Sequence, residues 1–142
     1  MKNILFLAAL VVLLPLAASA QRAGDPPHKV QMDFNRWHDY NDLKEAMERL
    51  EQAWPQFLEL SSLGKSYEGR DIMLMTINNP NTGDEMDKAA MYIEANVHGN
   101  EIQGAEVSLY TVWYLMEHYD RIPKIKQLVD ERVFYIVPSV NP

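Results

Sequence analysis

Residues 89–138 alternate strand, long helix and strand, and that order leaves few folds open. An apolar segment spans 89–97, and 101–119 then carries Ile102, Ala105, Leu109, Val112, Trp113 and Met116 at helical spacing for about five turns. Pro123 resets the chain, a short helix is expected over 124–129, and 132–138 is again apolar and extended. Strands joined through an intervening helix run parallel, because the helix carries the chain back to the end from which it started. The connection is expected to be right-handed.

Upstream, the pattern changes period. Leu43, Met47, Leu50 and Trp54 predict an amphipathic helix capped at Asp39 or Asn41 and stopped by Pro55, with Lys44, Glu45, Glu48 and Arg49 on its charged face. Segments 60–67 and 71–78 flank Glu68-Gly69-Arg70 and read as a hairpin. Both alternating sets in 71–78 are largely apolar, so that strand is expected to be covered on both faces. A hairpin followed by a crossover gives an α/β fold, a mixed β-sheet flanked by helices. Four strands and two main helices make a small two-sided sheet, with the last strand expected as an edge or a half-covered centre. The chain is therefore expected to be truncated on its C-terminal side.

Composition narrows the setting. Lys2, the apolar run 4–16 and Ala18-Ser19-Ala20 have the order of a secretory signal cleaved after Ala20. About thirteen apolar residues interrupted by Pro15 are too few to span a bilayer. Residues 1–20 are thus expected to be a signal peptide and 21–32, with Gly24, Pro26 and Pro27, a flexible lead-in to a domain over 33–142. The chain has no cysteine, which excludes disulfides, thiol chemistry and lipidation at a cysteine. The net charge of −7 argues against a nucleic-acid partner. A secreted or periplasmic protein without stable membrane association after signal cleavage is expected.

The chemistry concentrates in 95–104, ANVHGNEIQG. His98 is expected to leave the carboxyl end of a strand, Gly99 to turn the backbone sharply, and Glu101 to open the helix, so that the two side chains converge. An imidazole nitrogen and a carboxylate oxygen at about 2.0–2.2 Å are ordinary zinc ligands. His-x-x-Glu is a weak pattern alone, and its placement between strand and helix is what strengthens it. His28, His38 and His118 lack that setting and are expected on the solvated surface. Tyr110, Tyr114 and Met116 are expected to pack in the core. HExxH, GxSxG and glycine-rich phosphate loops are absent from the sequence.

The sequence LGKSYEGRDI over 63–72, then VHGNE and finally PSVNP, resembles the amino-terminal part of the zinc metallocarboxypeptidases of the pancreatic carboxypeptidase type. Trp54-Pro55 and the exit at 58–60 fit the same pattern. The resemblance implies a mixed eight-stranded sheet, zinc as cofactor, and His98 and Glu101 as two of its ligands. It also implies that peptide or protein C-termini are the substrate. Arg70 matches a turn arginine read as structural. Digestive members carry arginine where this chain has Asn100, which makes Asn100 a candidate substrate-binding residue outside simple digestive specificity.

The resemblance places the third zinc ligand, the general-base glutamate and the groups that hold the substrate carboxylate beyond Pro142. No catalytic base is therefore assigned within the chain, which is expected to be inactive and to fold poorly alone. Two other readings use the same residues. One is a small-amide hydrolase resembling aspartoacylase and succinylglutamate desuccinylase, against which the signal sequence and the SYEGR hairpin argue. The other is a non-catalytic peptide-binding domain.

Overall fold

The computed structural model describes residues 27–142. The expected signal, 1–20, lies outside the described residues. The elements are α1 (Tyr40–Ala53), β1 (Leu58–Lys65), β2 (Asp71–Ile77), β3 (Ala89–Glu94), α2 (Gln103–His118), α3 (Pro123–Glu131) and β4 (Arg132–Val137). Two short 3-10 turns, Pro80–Thr82 and Glu85–Asp87, lie in the long loop before β3.

Asp39 is the cap of α1, and its carboxylate accepts the Asp42 backbone N–H at 2.9 Å. That bond satisfies a donor the helix itself cannot pair. Leu43, Ala46, Met47 and Leu50 form the buried face of α1. Against it, Leu109, Val112, Trp113 and Met116 of α2 meet Met75 and Ile77 of β2 and Phe134 and Ile136 of β4 in one cluster. Each fully buried side chain of this size contributes roughly 1.5–3 kcal/mol relative to exposure, which is what joins helices to sheet.

The sheet order is β1-β2-β4-β3. β1 and β2 form the antiparallel hairpin, β2 and β4 are antiparallel, and β3 and β4 are parallel, as a helical crossover requires. Two expectations are corrected here. β4 is neither an edge nor a half-covered centre: it lies between β2 and β3, and Val133, Phe134, Ile136 and Val137 are all buried, so it is covered on both faces. The edges are β1 and β3, and β3 exposes Met91 and Tyr92. β2 buries Met73, Met75 and Ile77 on the helical side, but Ile72 and Leu74 on the other face are only half-buried.

The chain docks onto the fold earlier than the expected boundary at Asp33. Val30 is buried, its N–H donates to Glu117 Oε1 at 2.8 Å, and its carbonyl accepts the Trp113 indole N–H at 2.9 Å. Lys29 reaches the Ala53 carbonyl, and Arg49 donates to the Gln31 carbonyl at 2.6 Å. Residues 28–32 are therefore pinned to α1 and α2.

Candidate metal centre

β3 ends at Glu94, three residues before Val97, where an extended segment was expected to continue. Ala95 stays laced to the neighbouring strand, its N–H donating to the Val137 carbonyl and its own carbonyl accepting from Val140, each at 3.0 Å. Asn96 then turns the chain with φ 56°, the one non-glycine left-handed residue among the described residues. Asparagine is among the few residues that tolerate that region. Gly99, expected to make the sharp turn, does not adopt positive φ.

His98, Gly99, Asn100 and Glu101 form a β-turn closed by the Glu101 N–H on the His98 carbonyl at 2.9 Å. Such a turn brings its first and fourth residues together, so the i, i+3 spacing works through the turn itself. Glu101 does not open the helix: α2 begins at Gln103, and a second turn, from the Gly104 N–H to the Glu101 carbonyl at 3.3 Å, leads into it. His98 Nδ1 and Glu101 Oε2 stand 3.1 Å apart, with the side chains 74 % and 58 % exposed. Asn100 lies between them, exposed.

Two such donors bound to one tetrahedral zinc ion stand about 3.4 Å apart. The observed separation and donor chemistry fit two positions of that set. Among the described residues, no group of three or more His, Asp or Glu side chains gathers for a metal.

Gly104 sets how closely α2 approaches this segment. A Cβ on it would lie 2.8 Å from the Ala95 Cβ, an atom fixed to the backbone and unable to swing away. Gly104→Ala gains up to about 1 kcal/mol of helix propensity and meets an overpacking penalty of about 1–3 kcal/mol. The expected result is net destabilisation by about 1 kcal/mol, with the Ala95 and Asn96 amide resonances shifted. A variant more stable than wild type, with those resonances unmoved, would contradict the close approach.

A hollow of about 180 Å³ flanks the turn, lined by Tyr40, Asn96, Gly99, Ser139 and Asn141 among others. A more apolar hollow of about 400 Å³, lined by Phe34, Trp37, Val107 and Tyr110, shares no lining residue with the turn and is separate from the candidate metal centre.

The remaining histidines are only partly exposed, and each lies against a group of the protein. His38 Nδ1 donates to Glu106 Oε2 at 2.8 Å with its side chain 5 % exposed, and His28 Nδ1 lies 3.5 Å from Glu117 Oε2. His118 Nδ1 donates to the Tyr114 carbonyl at 2.9 Å, and its ring stacks on Tyr114. Met116 is in the core as expected, but Tyr110 is 44 % exposed. Arg70, at the hairpin turn, pairs with Glu68 at 2.6 Å and donates to the Pro142 carbonyl at 3.1 Å. The sequence reading did not single out Asn96, Gly104, Ser139 or Asn141. An asparagine two residues before the histidine was the available signal.

Comparison with known proteins places the chain among relatives of one family. Mouse carboxypeptidase D is 36 % identical over 107 residues, covering 75 % of this chain and 8 % of that protein. A zinc carboxypeptidase of Saccharothrix mutabilis subsp. capreolus is 33 % identical over 121 residues, covering 83 % of this chain and 28 % of its own length. The chain thus spans under a third of the relatives it matches. The crystal structure of carboxypeptidase A from Helicoverpa armigera superposes with a TM-score of 0.68 at 22 % identity, covering 84 % of this chain and 28 % of that one. That likeness shows the fold. Residues 43–142 match the zinc carboxypeptidase family, and the chain belongs to that family.

Proposed function

We propose that this chain contributes to a zinc-dependent metallocarboxypeptidase that hydrolyses C-terminal peptide bonds, and that His98 and Glu101 are two of its metal ligands. The observation that carries this reading is the convergence of the two donors at 3.1 Å on an exposed turn, in a chain of the zinc carboxypeptidase family. When bound, zinc supplies a Lewis acid that polarises a carbonyl and lowers the pKa of water to about 7. His98 would offer a neutral imidazole nitrogen and Glu101 an ionised oxygen. Neither is read as the general base, because a donor bound to a cation is a weaker base and the resemblance assigns that role to another glutamate. Asn100, exposed between them, offers an amide that both donates and accepts, suited to a peptide group of the substrate.

Residues 1–20 are read as a cleaved secretory signal, which makes the protein secreted or periplasmic. Among the described residues no helix is long and apolar enough to cross a membrane.

Zinc titration followed by calorimetry tests the ligand pair. His98→Ala and Glu101→Ala are each expected to weaken zinc binding at least about tenfold, since even outer partners of a metal site are worth 10–100-fold. Asn100→Ala is expected to leave zinc affinity unchanged and to weaken peptide binding. Residues 1–142 alone are expected to release no C-terminal residue from peptides, because two donors leave zinc without the fixed three-ligand geometry of a catalytic site. Zinc affinity unaltered in both ligand variants would overturn the assignment.

A further inference from the structure

The segment before the His98–Glu101 turn carries two features that a glycine at the same place would avoid. Asn96 holds a left-handed backbone, φ 56°, and its side-chain oxygen is buried with no hydrogen-bond partner. Backbone strain and an unpaired buried acceptor each cost stability, and such outliers persist where the surroundings enforce them. The compensating contact is specific: Asn96 Nδ2 donates to Ser139 Oγ at 3.0 Å across 43 residues of sequence, and Ser139 is itself buried.

The surrounding bonds give this contact a direction. Ala95 is fixed through its backbone to Val137 and Val140, and the Val97 carbonyl accepts from Asn141 Nδ2 at 3.3 Å. Gly99 lies alongside, a Cβ built on it falling 3.7 Å from the Asn141 carbonyl oxygen. Residues 95–97 are therefore stitched to 137–141, and the exposed turn that follows is held by its own bond from the Glu101 N–H to the His98 carbonyl. Asn96 is the last residue before His98 with a buried side-chain anchor, and its φ sets the direction in which the chain departs toward the turn.

We propose that Asn96 is a positioning residue for the His98–Glu101 pair, acting through its left-handed backbone and its bond to Ser139. It touches neither substrate nor metal. The role rests on the metal reading of the pair for its purpose, but not for its geometry, so the two can fail separately.

The experiment uses the full chain and three variants. Asn96→Gly keeps the left-handed backbone and removes the anchor, Ser139→Ala removes the anchor from the other side, and Asn96→Asp keeps an oxygen able to accept the Ser139 hydroxyl. Solvent exchange of the Glu101 amide is read by NMR, with the β4 amides as internal reference, alongside zinc titration. Asn96→Gly and Ser139→Ala are expected to speed Glu101 exchange about fivefold to tenfold, the worth of one hydrogen bond. The β4 amides should be unchanged, zinc affinity should fall at least about threefold, and Asn96→Asp should restore both towards wild type. Glu101 exchange equal to wild type in Asn96→Gly overturns the proposal, as does acceleration shared equally by β4, which marks a residue that merely stabilises the fold. If His98→Ala leaves zinc affinity untouched while Asn96→Gly still frees the Glu101 amide, the metal reading fails and the positioning role stands.

Discussion

Glu117→Ala is expected to remove about 3 kcal/mol of stability, read as a lower urea midpoint with unchanged slope. The Glu117 side chain is 1 % exposed, an unusual place for a carboxylate, and it collects three partners. The Val30 N–H donates to it at 2.8 Å, while His28 Nδ1 and Arg121 Nη2 approach to 3.5 and 3.9 Å. His28 and Arg121 are partly solvated, which keeps their share small. The larger part is the buried Val30 N–H, which would lose its acceptor, together with the cavity left under residues 28–32. Glu117→Gln retains an acceptor for Val30 and should cost about half as much. The Trp113 indole bonds the Val30 carbonyl, so its fluorescence should report the detachment of this segment. A midpoint shift worth under about 1 kcal/mol would show that the buried carboxylate does not hold the segment down.

Asp130→Ala is expected to cost about 2–3 kcal/mol near neutral pH, and that cost should shrink in acid. The Asp130 carboxylate accepts from Asn79 Nδ2 at 2.6 Å, the Tyr119 hydroxyl at 2.7 Å and Lys126 Nζ at 2.5 Å. Asn79 and Tyr119 are buried, so the variant strands donors that water cannot readily reach. Burial pushes the Asp130 carboxyl up, but the hydrogen bonds from Lys126, Tyr119 and Asn79 together outweigh it and hold the group below its ordinary 3.8. The unfolded chain therefore takes up the proton at higher pH than the folded one. The stabilisation is complete above the ordinary carboxylate value and is lost as pH falls through the lower folded value. Denaturation of wild type and Asp130→Ala at several pH values should show the gap constant from pH 7 to about 5 and closing below about 4. A gap that widens in acid would reverse the sign and contradict the network.

The candidate pair was legible for a local reason. Four consecutive residues make the turn, so the spacing of His98 and Glu101 already contained their meeting, although the turn and not the helix end performs it. The α1 helix was equally local: its cap, apolar stripe and terminating proline all lie within 39–55. The same holds for the hairpin at Glu68-Gly69-Arg70 and for the parallel relation of β3 and β4, which a helical crossover imposes on any chain.

Contacts between distant residues were not legible in this way. Burial of β4 between β2 and β3 depends on which strand edges meet, and periodicity within a strand carries no information about its neighbours. His28 and His38 looked like surface residues because their carboxylate partners, Glu117 and Glu106, lie on α2, far along the sequence. Gly104 takes its meaning from Ala95, nine residues earlier, which stands against it at a distance that admits no side chain. Asn96 likewise acquired its meaning from Ser139, 43 residues away. The sequence by itself determined the elements, their order and the approach of His98 to Glu101, since each follows from steric and hydrogen-bonding preferences within a few residues. Tertiary structure alone decided where the sheet has its edge, which buried charges are matched and what holds the turn in place, because each of these is a pairing that the chain makes only when remote segments pack together.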